Sequence, residues 1–128
     1  MIYHFSKTIN MPFDRAISHT TEALKREGFG VLTDIDVRAT MKAKLGEDFR
    51  PYRILGACNP KLAHRALQLE SKIGTMLPCN VIVQEHEGGG VEVSAVDPAA
   101  SMQAVDNPSL AEVAKEVQTK LKRVIHEL

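Results

Sequence analysis

The chain has 128 residues, of which 44% are hydrophobic and 25% charged, and this composition is typical of one globular domain and excludes a disordered or fibrous chain. The charges of its 16 basic and 16 acidic residues cancel, and a net charge of zero argues against a nucleic-acid-binding protein. Two cysteines are too few for a disulfide framework, and no leader-like start or apolar run of ~18 residues occurs, so we expect a cytoplasmic protein with reduced thiols and no membrane span.

The first part of the chain predicts a strand, a helix, a second strand and a short helix. Alternating side chains indicate the first strand, whose buried face is expected to run from Tyr3 to Ile9. Asn10 is expected to cap the following helix, Pro12 suits its first turn, and Gly28 ends it. These elements are predicted over residues 2–9, 10–28, 29–35 and 36–46, and the short helix is expected to be capped by Asp36 and ended by Gly46.

The stretch "LGACNPKLAHRAL", residues 55–67, joins a predicted strand to a predicted helix. The strand "YRILGAC" ends at Cys58, Asn59 is a typical helix cap, and Pro60 fits the first helical position, where no N–H is needed. Apolar residues then recur at helical spacing, at Leu62, Ala66, Leu69 and Ile73.

The second half predicts a hairpin and a long final helix. The strands "NVIVQEH" and "VEVSAV" flank a "GGG" turn, and Asp97 and Asn107 each precede a proline at an expected helix start. The last helix runs from Pro108 to the end, with one apolar face. The order of elements predicts a single α+β domain over residues 1–128, with amphipathic helices packed on one sheet.

Five motifs, in this order and at these spacings, resemble a known protein family: "GFGVLTDIDV", "KLG", "YRILGACNP", "LPCNVIV" and "VSAVDP". The chain resembles the bacterial and archaeal family named domain of unknown function 302 over nearly its whole length. The resemblance implies a two-layer sandwich similar to the TATA-box-binding protein, with helices on one face of a mainly antiparallel sheet. It also implies a homodimer. It implies no activity, and the shared architecture does not transfer DNA binding.

The two cysteines are the main candidates for chemistry. Cys58 and Cys79 each lie at the end of a predicted strand and each precede an asparagine. Buried structural thiols are one interpretation. The alternative is a shared site at one sheet edge, where the start of the helix at Pro60 would favour the thiolate form of Cys58. The candidate binding residues are Cys58, Asn59, Lys61, Cys79 and Asn80, with Lys44 and Arg53 as possible anion ligands.

Three functions remain open for this candidate site. The first is a small-molecule or thiol-reactive site, linked to sulfur or redox chemistry, whose ligand is anionic or thiol-reactive. An anionic ligand would be attracted by the positive charge of residues 38–72, which carry eight basic and three acidic side chains. The second is metal binding by the same thiolates, although paired Cys-x-x-Cys hooks are missing from the sequence. The third is a dimeric interaction module without chemistry. No residue pattern identifies a cofactor.

Overall fold

A computed structural model describes residues 2–128 and has one five-stranded sheet in the order β1-β5-β4-β3-β2. All neighbouring strands are antiparallel. The strands are β1 (His4–Ile9), β2 (Gly30–Asp36), β3 (Tyr52–Cys58), β4 (Cys79–Glu85) and β5 (Val91–Val96). The helices are α1 (Phe13–Arg26), α2 (Val37–Leu45), α3 (Pro60–Leu69), α4 (Pro98–Ser101) and α5 (Pro108–His126), with a short 3-10 helix at Ile73–Met76. The predicted α+β class is confirmed.

The core lies between one face of the sheet and the helices. Alternate residues of the two central strands are fully buried, as Val81 and Val83 of β4 and Val93 of β5 show. From the other layer, α5 contributes an apolar face that includes Leu110, Val113, Val117, Leu121 and Val124. The other face, which carries the exposed Asn80 and the half-buried Ile54 and Ile82, is the more open one. The expected two-layer arrangement is therefore confirmed.

Three of the predicted helix caps form as expected. Asp36, Asn59 and Asp97 each accept hydrogen bonds from backbone N–H groups in the first turn of the helix that follows. Gly46, predicted to end α2, has φ of +68°, a conformation that glycine adopts without steric cost. Local cap signals therefore predict the boundaries around α2 and α3 well.

Neither Asn10 nor Asn107 caps a helix through its side chain, although Asn107 is the N-cap residue of α5 as predicted. Asn10 lies too far from α1, whose N-cap residue is Pro12 and carries no side-chain cap bond. Asn107 does precede α5, but its side-chain Nδ2 donates to the carbonyl oxygen of Leu69 at 2.9 Å instead of capping the helix. A tertiary hydrogen bond here replaces the expected local one.

Two residues expected on buried faces are exposed. Tyr3 precedes β1 and is 65% exposed, while Leu69, at the last position of α3, is 41% exposed. Ile73 is buried as expected, but from the 3-10 helix rather than from α3. Within residues 2–128, no helix has the length and hydropathy needed to cross a bilayer.

Candidate functional site: an apolar cavity with two thiols

The two cysteine-bearing strand ends lie side by side. Strand β3 ends at Cys58 and β4 begins at Cys79, and the antiparallel register places Ala57 directly opposite Cys79. The end of one strand and the start of its antiparallel neighbour necessarily share a sheet edge. The sequence expectation that both cysteines occupy one edge is met by this register.

A cavity of about 310 Å³ opens at this edge, between the strand ends and the helices. Cys58, Asn59 and Cys79 line it, and the rest of the wall is contributed by apolar residues from segments far apart in sequence. These include Phe29, Leu62, Leu77, Met102, Val113 and Val117. In the described part of the chain, no Asp, Glu, Lys, Arg or His side chain lines this cavity. The site is therefore electrically neutral and predominantly apolar.

The two thiols differ in exposure. Cys58 is half-buried, whereas Cys79 is only 7% exposed. Burial, and secondarily the neighbouring Cys58, raise the pKa of the Cys79 thiol from an ordinary value of 9.0 to about 11. Cys79 therefore stays protonated near neutral pH, and Cys58 is the more accessible of the two sulfurs.

Both polar atoms of the Asn59 side-chain amide make hydrogen bonds to the backbone. Its Oδ1 accepts from the backbone N–H of Leu62 at 3.3 Å, which caps α3. Its Nδ2 donates to the carbonyl oxygen of Glu27 at 3.4 Å, which ties the start of α3 to the end of α1. The first-turn N–H of Leu62 is thus occupied by the cap and does not face an anion.

The remaining candidate residues lie outside the cavity wall. Lys61, Asn80 and Lys44 are exposed, and none of them lines the cavity. Arg53 is held by two carboxylates, with Nη1 at 2.9 Å from Asp34 and Nε at 3.5 Å from Asp36. The local excess of basic residues in the sequence is therefore not gathered around the thiols.

The mouth of the cavity carries exposed apolar side chains. Leu32, at the register shift in β2, is 68% exposed, and Leu67 of α3 is 45% exposed, and both also line the cavity. Exposed leucines next to an apolar cavity extend its apolar surface into solvent. Sequence reasoning missed this rim, since the only signal for Leu32 is an irregularity in strand pairing, which a sequence does not show.

The far wall was also missed by sequence reasoning. Val113, Ala114 and Val117 of α5 close the cavity, together with Met102 from the end of α4. Their apolar spacing predicted a buried helix face, but not that part of this face borders an open volume. Among residues 2–128, no group of three or more His, Cys, Asp or Glu side chains is placed to hold a metal ion.

Comparisons with known proteins agree with the fold and name no activity. The profile of the family described as Domain of unknown function DUF302 matches residues 5–128. The chain is also similar to a crystal structure of an uncharacterized conserved protein DUF302 from Bacillus stearothermophilus, with 29% sequence identity, 98% of each chain covered and a TM-score of 0.91. No curated protein matches the chain. The resemblance inferred from the motifs is therefore confirmed.

Proposed function

The chain belongs to the DUF302 family, whose description names no activity. We propose, from the shape and lining of its cavity, that the protein binds a small, uncharged, mainly apolar molecule next to the two thiols. The observation that carries this proposal is the neutral, apolar lining around Cys58 and Cys79. Binding sites for small molecules are typically concave and mostly apolar, with a few polar groups that orient the ligand. Here the sulfurs of Cys58 and Cys79 are those groups.

An uncharged ligand is favoured over an anionic one. Moving a charged group from water into an apolar cavity is costly unless an opposite charge meets it there. The cations considered as anion ligands, Lys44, Lys61 and Arg53, lie outside the cavity wall, and Arg53 already contacts two carboxylates. The geometry therefore supports a thiol-lined site for neutral molecules.

The test is the binding of hexyl ethyl ketone, an uncharged saturated ketone with no carbon–carbon double bond to which a thiol could add. Binding to the native state should raise the melting temperature in a concentration-dependent manner. The substitution Ala63→Phe fills the cavity from α3, where Ala63 lines it, and should abolish this rise. Ala43→Phe, at an exposed position of α2, is the matched control and should retain it. Equal responses of the two variants, or no response of the parent protein, would contradict the proposal.

Metal binding by the same thiolates has less support. Two thiols provide half of a typical structural zinc site, and the described residues supply no third ligand beside them. We also propose a cytoplasmic location, where the two thiols would stay reduced. Zinc measured in protein purified without chelator at about one ion per chain would favour the metal instead.

A second function, assembly into a homodimer, is favoured by a row of isoleucines on the open face of the sheet. Ile35, Ile54 and Ile82 lie directly opposite one another across β2, β3 and β4. Ile35 is 48% exposed, and the other two are half-buried. Burying this row against a second copy would remove apolar surface from water. Light scattering at micromolar concentration should give twice the 14.1 kDa chain mass, and a single-chain mass would contradict the dimer.

A further inference from the structure

The absence of charge around the thiols in the described chain limits the reactions that Cys58 can support. Exchange with a disulfide expels a thiolate, and acyl transfer expels an anionic leaving group. Neither anion would meet a cationic side chain in this cavity. Addition to a carbon–carbon double bond expels no leaving group, and the only anion it forms is a transient enolate, which the thiol proton neutralises at the α-carbon.

We propose that Cys58 adds covalently to uncharged α,β-unsaturated carbonyl compounds whose apolar part occupies the cavity. This inference rests on the proposed function, because the cavity must first bind the apolar part. In the step, the Sγ atom of Cys58 forms a bond to the β-carbon and the carbon–carbon π bond breaks. The thiol proton ends on the α-carbon. No electrons are exchanged with a third molecule, and the product is a neutral thioether.

The arrangement of the two sulfurs assigns the reaction to Cys58. Cys58 is half-buried at the cavity wall, so a bound ligand can reach it, whereas Cys79 is almost completely buried. Only the thiolate is strongly nucleophilic, and the raised pKa of Cys79 keeps that sulfur protonated near neutral pH. Cys79 thus contributes an uncharged wall, and one adduct per chain is expected.

The rim of the cavity explains how an elongated ligand would fit. Leu32 and Leu67 extend the apolar lining outward from the thiols to solvent. A chain longer than the enclosed volume would therefore continue along leucine side chains rather than into water. We accordingly expect the reaction at Cys58 to accelerate as the alkyl chain of the carbonyl compound lengthens.

The experiment compares hexyl vinyl ketone with methyl vinyl ketone, which share the same reactive group. Intact-mass spectrometry at neutral pH follows the rate of single adduct formation, and peptide mapping locates the adduct. The chain-length preference is the rate of adduct formation with hexyl vinyl ketone divided by the rate with methyl vinyl ketone. In the folded protein this preference should exceed its value for the protein unfolded in urea by at least about tenfold. Excess hexyl ethyl ketone should slow the hexyl reaction by occupying the cavity.

Three variants complete the experiment. Cys58→Ser should prevent the fast adduct. Ala63→Phe should reduce the chain-length preference to its value in urea, whereas the matched Ala43→Phe should preserve it. Circular dichroism establishes that each variant is folded before its rates are compared.

The outcomes separate this inference from the proposed function. If hexyl ethyl ketone binds but Cys58 shows no chain-length preference, the covalent step is wrong and the binding function stands. If the adduct forms fastest at Cys79, the assignment to Cys58 is overturned. If the saturated ketone does not bind at all, the proposed function fails, and the covalent step fails with it.

Discussion

Among individual residues, Cys79 combines a titratable side chain with nearly complete burial. Its folded-state pKa of about 11 exceeds the ordinary value of 9.0, so the folded protein retains this proton at pH values where the unfolded chain loses it. Stability is lost wherever the unfolded state releases a proton that the folded state keeps. The contribution of Cys79 is therefore complete below pH of about 9 and declines as pH rises toward about 11.

This pH dependence can be isolated with a single substitution. In a Cys58→Ser background, the free energy of unfolding should fall more steeply between pH of about 9 and about 11 when Cys79 is present than when Cys79→Ala has been added. Urea denaturation at closely spaced pH values measures both curves, and other titrating groups cancel in the difference. Parallel curves would show that Cys79 is solvated in the folded protein.

Arg53, a possible anion ligand in the sequence, is paired with two acidic side chains in the fold. A basic residue near the cysteines in sequence is a reasonable anion ligand, but Arg53 contacts Asp34 and Asp36 on the neighbouring strand. Those carboxylates are brought to it by the β2–β3 register, in which Asp36 lies opposite Arg53. Strand pairing thus determines the partner of a charge, and the sequence around Arg53 does not reveal that pairing.

Among the elements, β3 depends on a glycine at its centre. A Cβ atom at Gly56 would collide with the side chain of Thr33 on β2 and would lie 2.7 Å from the ring of Pro78. We expect Gly56→Ala to lower the free energy of unfolding by ~1–3 kcal/mol, because a close-packed position cannot take an extra carbon without moving its neighbours. Chemical denaturation measures the change.

Gly30 supplies the control for this substitution. It also lies within a strand of the sheet, but a Cβ atom there would meet no atom within 4 Å. Gly30→Ala should therefore change stability little, and Thr33→Ala should recover part of the loss caused by Gly56→Ala. Similar losses at both glycines would indicate a general effect of glycine on strand conformation instead of a collision.

Helix α5 provides the longest apolar face packed on the sheet. Leu121, on this face, is completely buried. Leu121→Ala should cost ~2–5 kcal/mol, because it removes buried apolar atoms and leaves a cavity. Lys115→Ala, at an exposed position of the same helix, should cost less than ~0.5 kcal/mol. A loss near zero for Leu121→Ala would mean that this face is not packed in solution.

Sequence reasoning performed well for elements and poorly for the cavity, for a physical reason. Caps, proline positions and alternation act over a few residues, so Asn59, Pro60 and the hairpin strands could be read directly from the chain. The cavity instead forms where β3, β4, α3 and α5 fail to fill the space between them. An unfilled volume depends on the relative positions of distant segments, and no local pattern encodes it.

For the whole molecule, the isoleucine row is the feature that bears on assembly. Ile54 lies at its centre, between Ile35 and Ile82. In a homodimer formed through this face, Ile54→Glu would place a charge in an apolar interface on both copies, and the dimer should dissociate. Light scattering should then give a single-chain mass. Ala43→Glu, on the exposed side of α2, should leave the mass unchanged.

The two asparagine amides at the ends of α3 have a mechanical consequence. Asn59 ties the start of this helix to Glu27 at the end of α1, and Asn107, at the start of α5, donates to the carbonyl oxygen of Leu69 at the other end of α3. A helix fixed at both ends yields most easily at its middle, and Ala63 and Leu67, which face the cavity, lie in that span. If the proposed binding function holds, bulkier ligands should therefore be accommodated by bowing of α3, and loosening one tether with Asn107→Ala should widen the range of ligand sizes that raise the melting temperature.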